Sequence, residues 1–199
     1  MKRVFDLTIA VPLFLAVVPI YAVIFLLVRI NLGGPVIFRQ ERPGLHGRPF
    51  ELIKFRTMTS EVDDEGSLLD DGLRLTRLGK WLRSTSLDEL PELWNVIKGE
   101  MSLVGPRPLL PEYLPLYSRY EGRRHEVRPG VTGWAQVNGR NSSTWSERLA
   151  MDVWYVDNHN LRLDLKILFR TVKIVLRREG VSADGHVTMS KFRGSDSRP

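Results

Sequence analysis

Two adjacent carboxylates, Asp88 and Glu89, are the side chains of this sequence best suited to do chemistry. They follow Ser86, and Ser86 and Glu89 have the spacing of a capping box. Apolar residues then recur at helical spacing before Gly99, at Leu90, Leu93, Trp94 and Ile97. We therefore expect a helix that ends at Gly99 and holds both carboxylates in its first turn, where free amides favour anions. By itself this pattern is more typical of capping than of catalysis.

Three cations elsewhere in the sequence add weight to a catalytic interpretation of this pair. Lys54 lies near the end of a β-prone stretch, and Arg83 lies just before Ser86. Arg107 is presented by the rigid loop Gly105-Pro-Arg-Pro108. Its guanidinium suits a phosphate because it presents several donors in a planar fork.

A glycine-rich segment, Arg128–Arg140, is a second candidate site. It contains three glycines, a tryptophan, amides and two arginines. Two interpretations stay open. The segment can bring its backbone close to a ligand and stack or hydrogen-bond a base, or it can be a structural turn with Asn138-Gly139 as a hairpin.

Composition excludes several other chemistries. The chain has 199 residues and no cysteine, which rules out thiol catalysis, disulfides, cysteine-ligated zinc and iron–sulfur clusters. The four histidines lack a metal-binding spacing, and no hydrolase elbow, Walker loop or Rossmann motif is present. The net charge of +6 predicts an anionic partner: nucleic acid, anionic lipid or a phosphorylated small molecule.

An apolar segment near the start predicts membrane association. Leu7–Val28 has no charged residue, and apart from Thr8, Pro12 and Pro19 it is entirely hydrophobic. A helix of this length reaches about 33 Å, enough to cross a hydrocarbon core of roughly 30 Å. It is too long for the core of a signal peptide, and no cleavage site follows it.

Pro19 lies near the middle of this segment and should kink or break the helix. Positive residues flank the segment on both sides, at Lys2, Arg3, Arg29, Arg39 and Arg42. Because positive residues favour the cytoplasmic side, we expect a re-entrant helix that breaks at Pro19 and returns. A kinked spanning helix is the alternative.

The rest of the chain predicts a helix-dominated α+β region on the membrane surface. Residues 36–40 and 50–56 read as a small β hairpin, and residues 75–82 as a helix. Leu161–Leu176 combines an apolar face with a basic stripe, which is typical of a helix in the membrane interface or over a protein core. We expect a re-entrant anchor over 1–33, a catalytic region over 34–192 and a flexible tail over 193–199.

The sequence as a whole resembles the small monotopic phosphoglycosyl transferases, also called bacterial sugar transferases. The resemblance covers about Lys2 to Phe192. The blocks that carry it are Lys2-Arg-Val-Phe-Asp6, Phe38-Arg-Gln-Glu-Arg-Pro-Gly44, Lys54-Phe-Arg-Thr-Met58, Arg83-Ser-Thr-Ser-Leu-Asp-Glu-Leu-Pro-Glu-Leu-Trp-Asn95, Met101-Ser-Leu-Val-Gly-Pro-Arg-Pro108 and Val127-Arg-Pro-Gly-Val-Thr-Gly-Trp-Ala-Gln-Val-Asn-Gly-Arg140. Larger members carry further segments ahead of this core, so the chain is similar to the minimal catalytic unit. Small members often have Ser before the membrane proline, where this chain has Val18.

The resemblance implies transfer of a sugar 1-phosphate from a UDP-sugar to a polyprenyl phosphate such as undecaprenyl phosphate, with release of UMP. It implies that Asp88 is the nucleophile, that a phosphosugar–aspartate forms, and that Glu89 holds Mg²⁺. Lys54, Arg83 and Arg107 can then neutralise the diphosphate. The uridine is expected near Gly133, Trp134, Gln136 and Arg140.

The resemblance also implies a place in the cell, the cytoplasmic face of the bacterial inner membrane, with membrane lipid as a partner and no nucleic acid. Two alternatives come from other classes of protein: a membrane-tethered nucleic-acid binder and a non-enzymatic scaffold. The tail Glu179–Met189 resembles members that handle di-N-acetylbacillosamine, while GalNAc, GlcNAc and galactose stay open.

Overall fold

Among the residues that the structure describes, a long N-terminal helix leads into a body of shorter helices and two small sheets. The computed structural model describes residues 1–139, 143–177 and 191–194. The helices are α1 Lys2–Leu32, α2 Asp71–Arg74, α3 Arg77–Ser84, α4 Glu92–Lys98, α5 Arg119–Gly122, α6 Trp134–Asn138, α7 Trp145–Asn158 and α8 Leu161–Arg177. Antiparallel strands β1 Ile37–Pro43 and β2 Pro49–Phe55 form one sheet, and parallel strands β3 Ser102–Val104 and β4 Gly130–Thr132 form the other. The predicted helix-dominated α+β class and its hairpin are confirmed.

The helix α1 continues through both of its prolines. The prediction of a break in helical structure at Pro19 is therefore wrong. A proline removes only one backbone hydrogen bond and crowds one turn. Packing on either side of Pro19 holds the helical path, because Val17 is buried and the Tyr21 hydroxyl donates to the Leu90 carbonyl.

One face of α1 packs on the body and the rest of its surface is apolar and exposed. The buried residues are Asp6, Ala10, Val17, Ile24 and Val28, spaced by four or seven positions along the helix. The exposed set includes Val11, Leu13, Leu15, Val18, Ile20, Val23, Phe25, Leu26 and Leu27. An 18-residue stretch of α1 has a mean hydropathy of 2.8, and α1 is the single helix among the described residues that could cross a membrane by length and composition.

Polar contacts fix the start of α1 to three elements of the body. Lys2 Nζ lies 2.6 Å from the buried Asp164 of α8. Arg3 donates to the carbonyls of Val96 and Ile97, which lie in the last turn of α4. The carboxylate of Asp6 accepts from the Ser102 hydroxyl of β3 at 3.0 Å and from the next backbone amide at 3.2 Å. Charged and hydrogen-bonded groups therefore attach the start of α1 to the body.

The helix α8 turns much of its predicted apolar face away from the core. Leu163, Asp164 and Ile167 are the buried residues. The exposed large hydrophobic residues are Leu161, Leu165, Phe169, Val172 and Leu176. An exposed apolar face on a basic helix is typical of a helix in a membrane interface rather than one over a core.

The helix predicted at residues 75–82 is observed as α3, beginning two residues later. Thr76 is its N-cap, and its side chain accepts a 2.9 Å hydrogen bond from the Gly79 amide. Such a cap satisfies one of the free donors of the first turn and sets the start of the helix. Residues 193 and 194 of the predicted tail are described, and the remainder lies outside the described residues.

Candidate active site

The backbone around Asp88 and Glu89 differs from the predicted capping box. Leu87–Glu89 is a 3₁₀ turn, Ser86 makes no side-chain cap, and the helix α4 begins only at Glu92. The cause is Pro91, which has no N–H to donate to the Leu87 carbonyl as a continuous helix would require. The predicted end is confirmed, since Gly99 caps α4 with a φ of 89°.

Ser86 has a left-handed backbone conformation, with φ 54° and ψ 18°. This conformation is uncommon for a residue other than glycine, and it often marks a functional site. It redirects the chain between α3 and the 3₁₀ turn, and the Ser86 amide still bonds the Arg83 carbonyl at 3.2 Å. Asp88, two residues further on, is 7% exposed.

Two of the predicted cations converge on Glu89. Lys54 Nζ lies 2.7 Å from Glu89 Oε1, and Arg107 Nη2 lies 2.6 Å from the same oxygen. Lys54 Nζ also lies 2.9 Å from Glu92 Oε1. Glu92 is 1% exposed and was missed in the sequence analysis. Its place three residues after Glu89, on the same side of a helical turn, was the available signal.

The pKa values of the two glutamates move in opposite directions. Burial alone would raise the pKa of Glu89, but the charges and hydrogen bonds of Arg107 and Lys54 outweigh it and hold that pKa far below its ordinary value. Burial raises the pKa of Glu92 to about 7, against the charge of Lys54 and with the charge of Glu89. Glu89 is therefore an anion at neutral pH, while Glu92 is poised near its protonation midpoint.

Asp88 has no hydrogen bond or ion pair with any other described residue, although cations surround it. Burial raises its pKa, and the charge of Glu89 adds to this effect. The charges of Lys54, Arg83 and Arg107 oppose the rise. Its oxygens are not among the fully buried unpaired polar atoms, so an incoming group can reach them. An unpaired carboxylate in a cationic setting is suited to attack an electrophile.

Arg83 approaches the site from α3. Its Nε donates to the Thr57 hydroxyl at 3.1 Å, and one terminal nitrogen lies 3.5 Å from Met58 Sδ. No carboxylate among the described residues forms an ion pair with it. The structure thus brings Lys54, Arg83 and Arg107 together around the carboxylates, as predicted.

Close backbone contacts hold the loop that carries Arg107. A Cβ at Gly105 would overlap the Arg128 carbonyl, and a Cβ at Gly130 would overlap the Gly105 nitrogen. A Cβ at Gly133 would overlap the Gly105 carbonyl. Glycine is required because two backbones lie against each other here. The sequence left open whether the glycines of the segment 128–140 admit a ligand or form a structural turn. In the structure Gly130 and Gly133 pack against the backbone of Gly105.

The segment predicted to bind uridine contains α6, and the hairpin interpretation of Asn138-Gly139 is wrong. The Trp134 ring stacks on Trp154 at 4.5 Å between centroids. Two cations also lie by that ring, Lys166 Nζ at 5.9 Å and Arg170 Cζ at 5.6 Å from its centroid. A base that stacks on Trp134 must therefore compete with groups already there.

The structure describes two of the other residues predicted to contact the uridine, Gln136 and Gly133. The side-chain amide of Gln136 is fully buried and makes no hydrogen bond with any described residue. Gly133 packs against Gly105, as described above. Arg140 lies outside the described residues, and so does the tail segment 179–189.

The residues present fit a magnesium ion that takes most of its ligands from a substrate. No group of three or more described His, Asp or Glu side chains could hold a metal by itself. Lys54 and Arg107 bind one oxygen of Glu89, and the second oxygen has no partner among the described residues. Mg²⁺ typically uses one or two carboxylates together with phosphate oxygens and water. Asp88 and Glu89 provide donors of this kind.

The fold and the site are those expected of an enzyme for phosphate-bearing substrates that carries an apolar N-terminal helix. A family profile described as bacterial sugar transferase matches residues 1–178. The chain belongs to this family, and the prediction of an enzyme is confirmed. The scaffold and nucleic-acid-binding alternatives are set aside.

The chain is similar to several curated proteins. It is 55% identical over 195 residues to the uncharacterized sugar transferase EpsL of Bacillus subtilis. The aligned residues make up 98% of this chain and 96% of that protein. It is 41% identical over 188 residues to an undecaprenyl-phosphate glucose phosphotransferase of Komagataeibacter xylinus. The aligned residues make up 86% of this chain and 35% of that protein.

A third relative is the UDP-glucose:undecaprenyl-phosphate glucose-1-phosphate transferase of Escherichia coli. It is 40% identical over 182 residues, which covers 86% of this chain and 39% of that protein. The chain therefore spans well under half the length of these two relatives with named substrates.

Proposed function

We propose that this protein transfers a sugar 1-phosphate from a UDP-sugar to undecaprenyl phosphate and releases UMP. The observation that carries the proposal is Asp88, an unpaired carboxylate beside Lys54, Arg83 and Arg107. Relatives whose names describe this reaction with glucose or galactose support it.

The chemistry takes place in two displacements at one phosphorus atom. An Asp88 oxygen attacks the sugar-bearing phosphorus, and the bond from that phosphorus to the bridging oxygen breaks. UMP leaves with the electron pair, and a phosphosugar–aspartate forms. A lipid phosphate oxygen then attacks the same phosphorus, which breaks the bond to Asp88 and restores the free carboxylate.

Cations make these displacements feasible, because the nucleophile and the diphosphate are both anionic. Lys54 and Arg107 are held at Glu89 and can turn their remaining donors toward the phosphates. Arg83 adds positive charge near Asp88. Glu89 would hold Mg²⁺ at the diphosphate, where the ion would supply further charge neutralisation.

The same proposal includes a monotopic position on the membrane. One face of α1 contacts the body from Lys2, at Asp164, to Val28, which packs in a cluster with Val36 and Leu82. A helix held along its length cannot cross the bilayer alone, because its charged neighbours would enter the hydrocarbon. We therefore propose a re-entrant or shallow helix with both ends on the cytoplasmic face of the bacterial inner membrane, with α8 in the interface.

Single-cysteine labelling tests this position cleanly, because the chain has no cysteine. One variant carries a cysteine inserted after Met1, and the other is Ile30→Cys at an exposed position. In sealed vesicles both cysteines should react with a membrane-impermeant maleimide from the same side. Labelling from opposite sides contradicts the monotopic position.

Asp88→Asn tests the catalytic proposal. We expect UMP release from a panel of UDP-sugars, including UDP-di-N-acetylbacillosamine, GalNAc, GlcNAc, glucose and galactose, to fall at least 1,000-fold in this variant, while membrane association stays unchanged. Asp64→Asn, in an exposed loop, is the matched control and should keep full activity. Mass spectrometry of the wild type, quenched with the UDP-sugar alone, should find a phosphosugar on Asp88. Undiminished turnover in Asp88→Asn contradicts its role as nucleophile.

A further inference from the structure

Arg42 lies on the same face of the hairpin as Lys54. In the antiparallel register Arg42 is opposite Phe50, and residues directly opposite share a face. Phe50 and Lys54 are four positions apart on β2, so they also share that face. The hairpin therefore projects two cations from one side, and Lys54 is the one that reaches Glu89.

The next residue, Pro43, places the end of β1 beside the Arg107 loop. Pro43 and Arg107 line the same small cavity, together with Arg124 and His125. Arg42 is therefore next in sequence to the end of the hairpin that meets the Arg107 loop.

The guanidinium of Arg42 lacks an anionic partner among the described residues. One terminal nitrogen donates to Gln40 Oε1 at 2.6 Å. Its Nε is fully buried and has no acceptor. By contrast, Arg39 on the same strand forms an exposed ion pair with Glu51 at 2.5 Å. A buried donor without an acceptor is costly, and such a group in a native protein calls for an explanation.

The electrostatic setting points the same way. Burial lowers the pKa of Arg42 from its ordinary value, and the charge of Arg107 lowers it further. The charges of Glu92 and Glu112 only partly offset this effect. Two neighbouring guanidiniums repel each other, and an anion bound between them relieves the repulsion.

We propose that Arg42 is a phosphate-binding residue that acts with Arg107 to hold a phosphoryl group beside Asp88 and Glu89. This inference rests on the proposed function, in which two phosphate-bearing substrates meet at the site. The phosphoryl group belongs either to the diphosphate of the UDP-sugar or to the lipid phosphate, because both present the same oxygens to a guanidinium.

Binding and kinetics of Arg42→Gln test the proposal and separate the two sources. UDP is the probe for the diphosphate, and a short polyprenyl phosphate in detergent micelles is the probe for the lipid phosphate. We expect the Kd of one probe, and the KM of the matching substrate, to rise about tenfold or more, with a smaller change in kcat. A rise for UDP assigns Arg42 to the diphosphate, and a rise for the lipid assigns it to the acceptor.

Arg39→Gln is the matched control, since Arg39 is on the same strand but is already paired at the surface. It should leave both affinities within twofold of the wild type. Arg42→Lys keeps the charge without the planar fork and should bind the affected probe several-fold more weakly than the wild type. If Arg42→Gln does not fold, Arg42→Lys carries the same comparison.

The inference and the proposed function fail in different ways. If the wild type turns over a UDP-sugar and both Arg42 variants bind each probe as the wild type does, the role of Arg42 is wrong. If the wild type turns over no UDP-sugar but binds UDP through Arg42, the proposed reaction is wrong and the phosphate site stands. If the wild type binds neither probe, both are overturned.

Discussion

Arg124 donates a 2.6 Å hydrogen bond from a terminal guanidinium nitrogen to the backbone carbonyl of Arg107. The same guanidinium is held by the Asp152 carboxylate of α7, through contacts of 2.8 and 3.1 Å. Both side chains of this ion pair are buried, at 1% and 6% exposed. A buried pair therefore fixes the loop from which Arg107 reaches Glu89.

Breaking this pair should destabilise the fold. Asp152→Asn leaves the Arg124 charge without its partner, and removing one member of a buried pair typically costs about 3–5 kcal/mol. We expect a loss of that size in the free energy of unfolding, measured by denaturant titration in detergent. The control is Asp157→Asn, which removes the partly exposed partner of Arg123 and should cost no more than about 1 kcal/mol. Equal losses in the two variants contradict the role assigned to the buried pair.

Gly130→Ala should be far more disruptive than Gly122→Ala. The new Cβ at position 130 would overlap backbone atoms of Gly105 and Thr132, which cannot move as a side chain can. We expect a loss of more than about 3 kcal/mol, or failure to fold. At Gly122, in α5, a Cβ meets nothing within 4 Å, and alanine should stabilise the protein by about 0.5–1 kcal/mol. Thermal unfolding of both variants measures the difference, and similar melting temperatures speak against the backbone contact.

Glu92 should make stability depend on pH in a defined direction. Its pKa is about 7 in the folded protein and close to its ordinary value when unfolded. The folded state then binds the extra proton between about pH 4.5 and pH 7, so stability falls as the pH rises through this window. Relative to Glu92→Gln, the wild type should lose up to about 3 kcal/mol from pH 4.5 to pH 8. A parallel pH dependence of unfolding in both proteins rules out this titration.

Magnesium removal should stop UMP release if Glu89 holds the ion. We expect activity to vanish in EDTA and to return on addition of Mg²⁺. In Glu89→Gln the Mg²⁺ concentration for half-maximal rate should rise at least tenfold, because a carboxylate is replaced by a neutral amide. Glu65→Gln, in an exposed acidic loop, is the control and should show the wild-type requirement. Full activity in EDTA contradicts the metal role.

Phe169→Glu should weaken membrane binding without unfolding the protein. Phe169 is 76% exposed on the apolar face of α8, so a charge there meets water in the free protein but lipid in the bound state. We expect less protein to float with anionic vesicles, at an unchanged melting temperature. Leu73→Glu is the control, since Leu73 is 70% exposed in α2, outside the proposed membrane face. Unchanged flotation of Phe169→Glu places α8 outside the interface.

Local patterns in the sequence were enough to predict much of this protein. Periodicity predicted α8 and the hairpin, because side chains repeat at 3.6 and 2 positions in helices and strands. Motif blocks predicted the family, and residue chemistry selected Asp88, Glu89, Lys54, Arg83 and Arg107. Each of these inferences depends on residue type and short-range spacing.

Long-range packing decided the rest. Only the tertiary structure brings Lys54 to Glu89, 35 positions apart, and Lys2 to Asp164, 162 positions apart. It revealed Glu92 and Arg42 because their importance lies in burial and in their neighbours. It also kept α1 helical through Pro19. It placed Asp88 in a 3₁₀ turn ahead of α4 instead of in the predicted capping box. Such features depend on which side chains meet, and a local pattern carries no information about that.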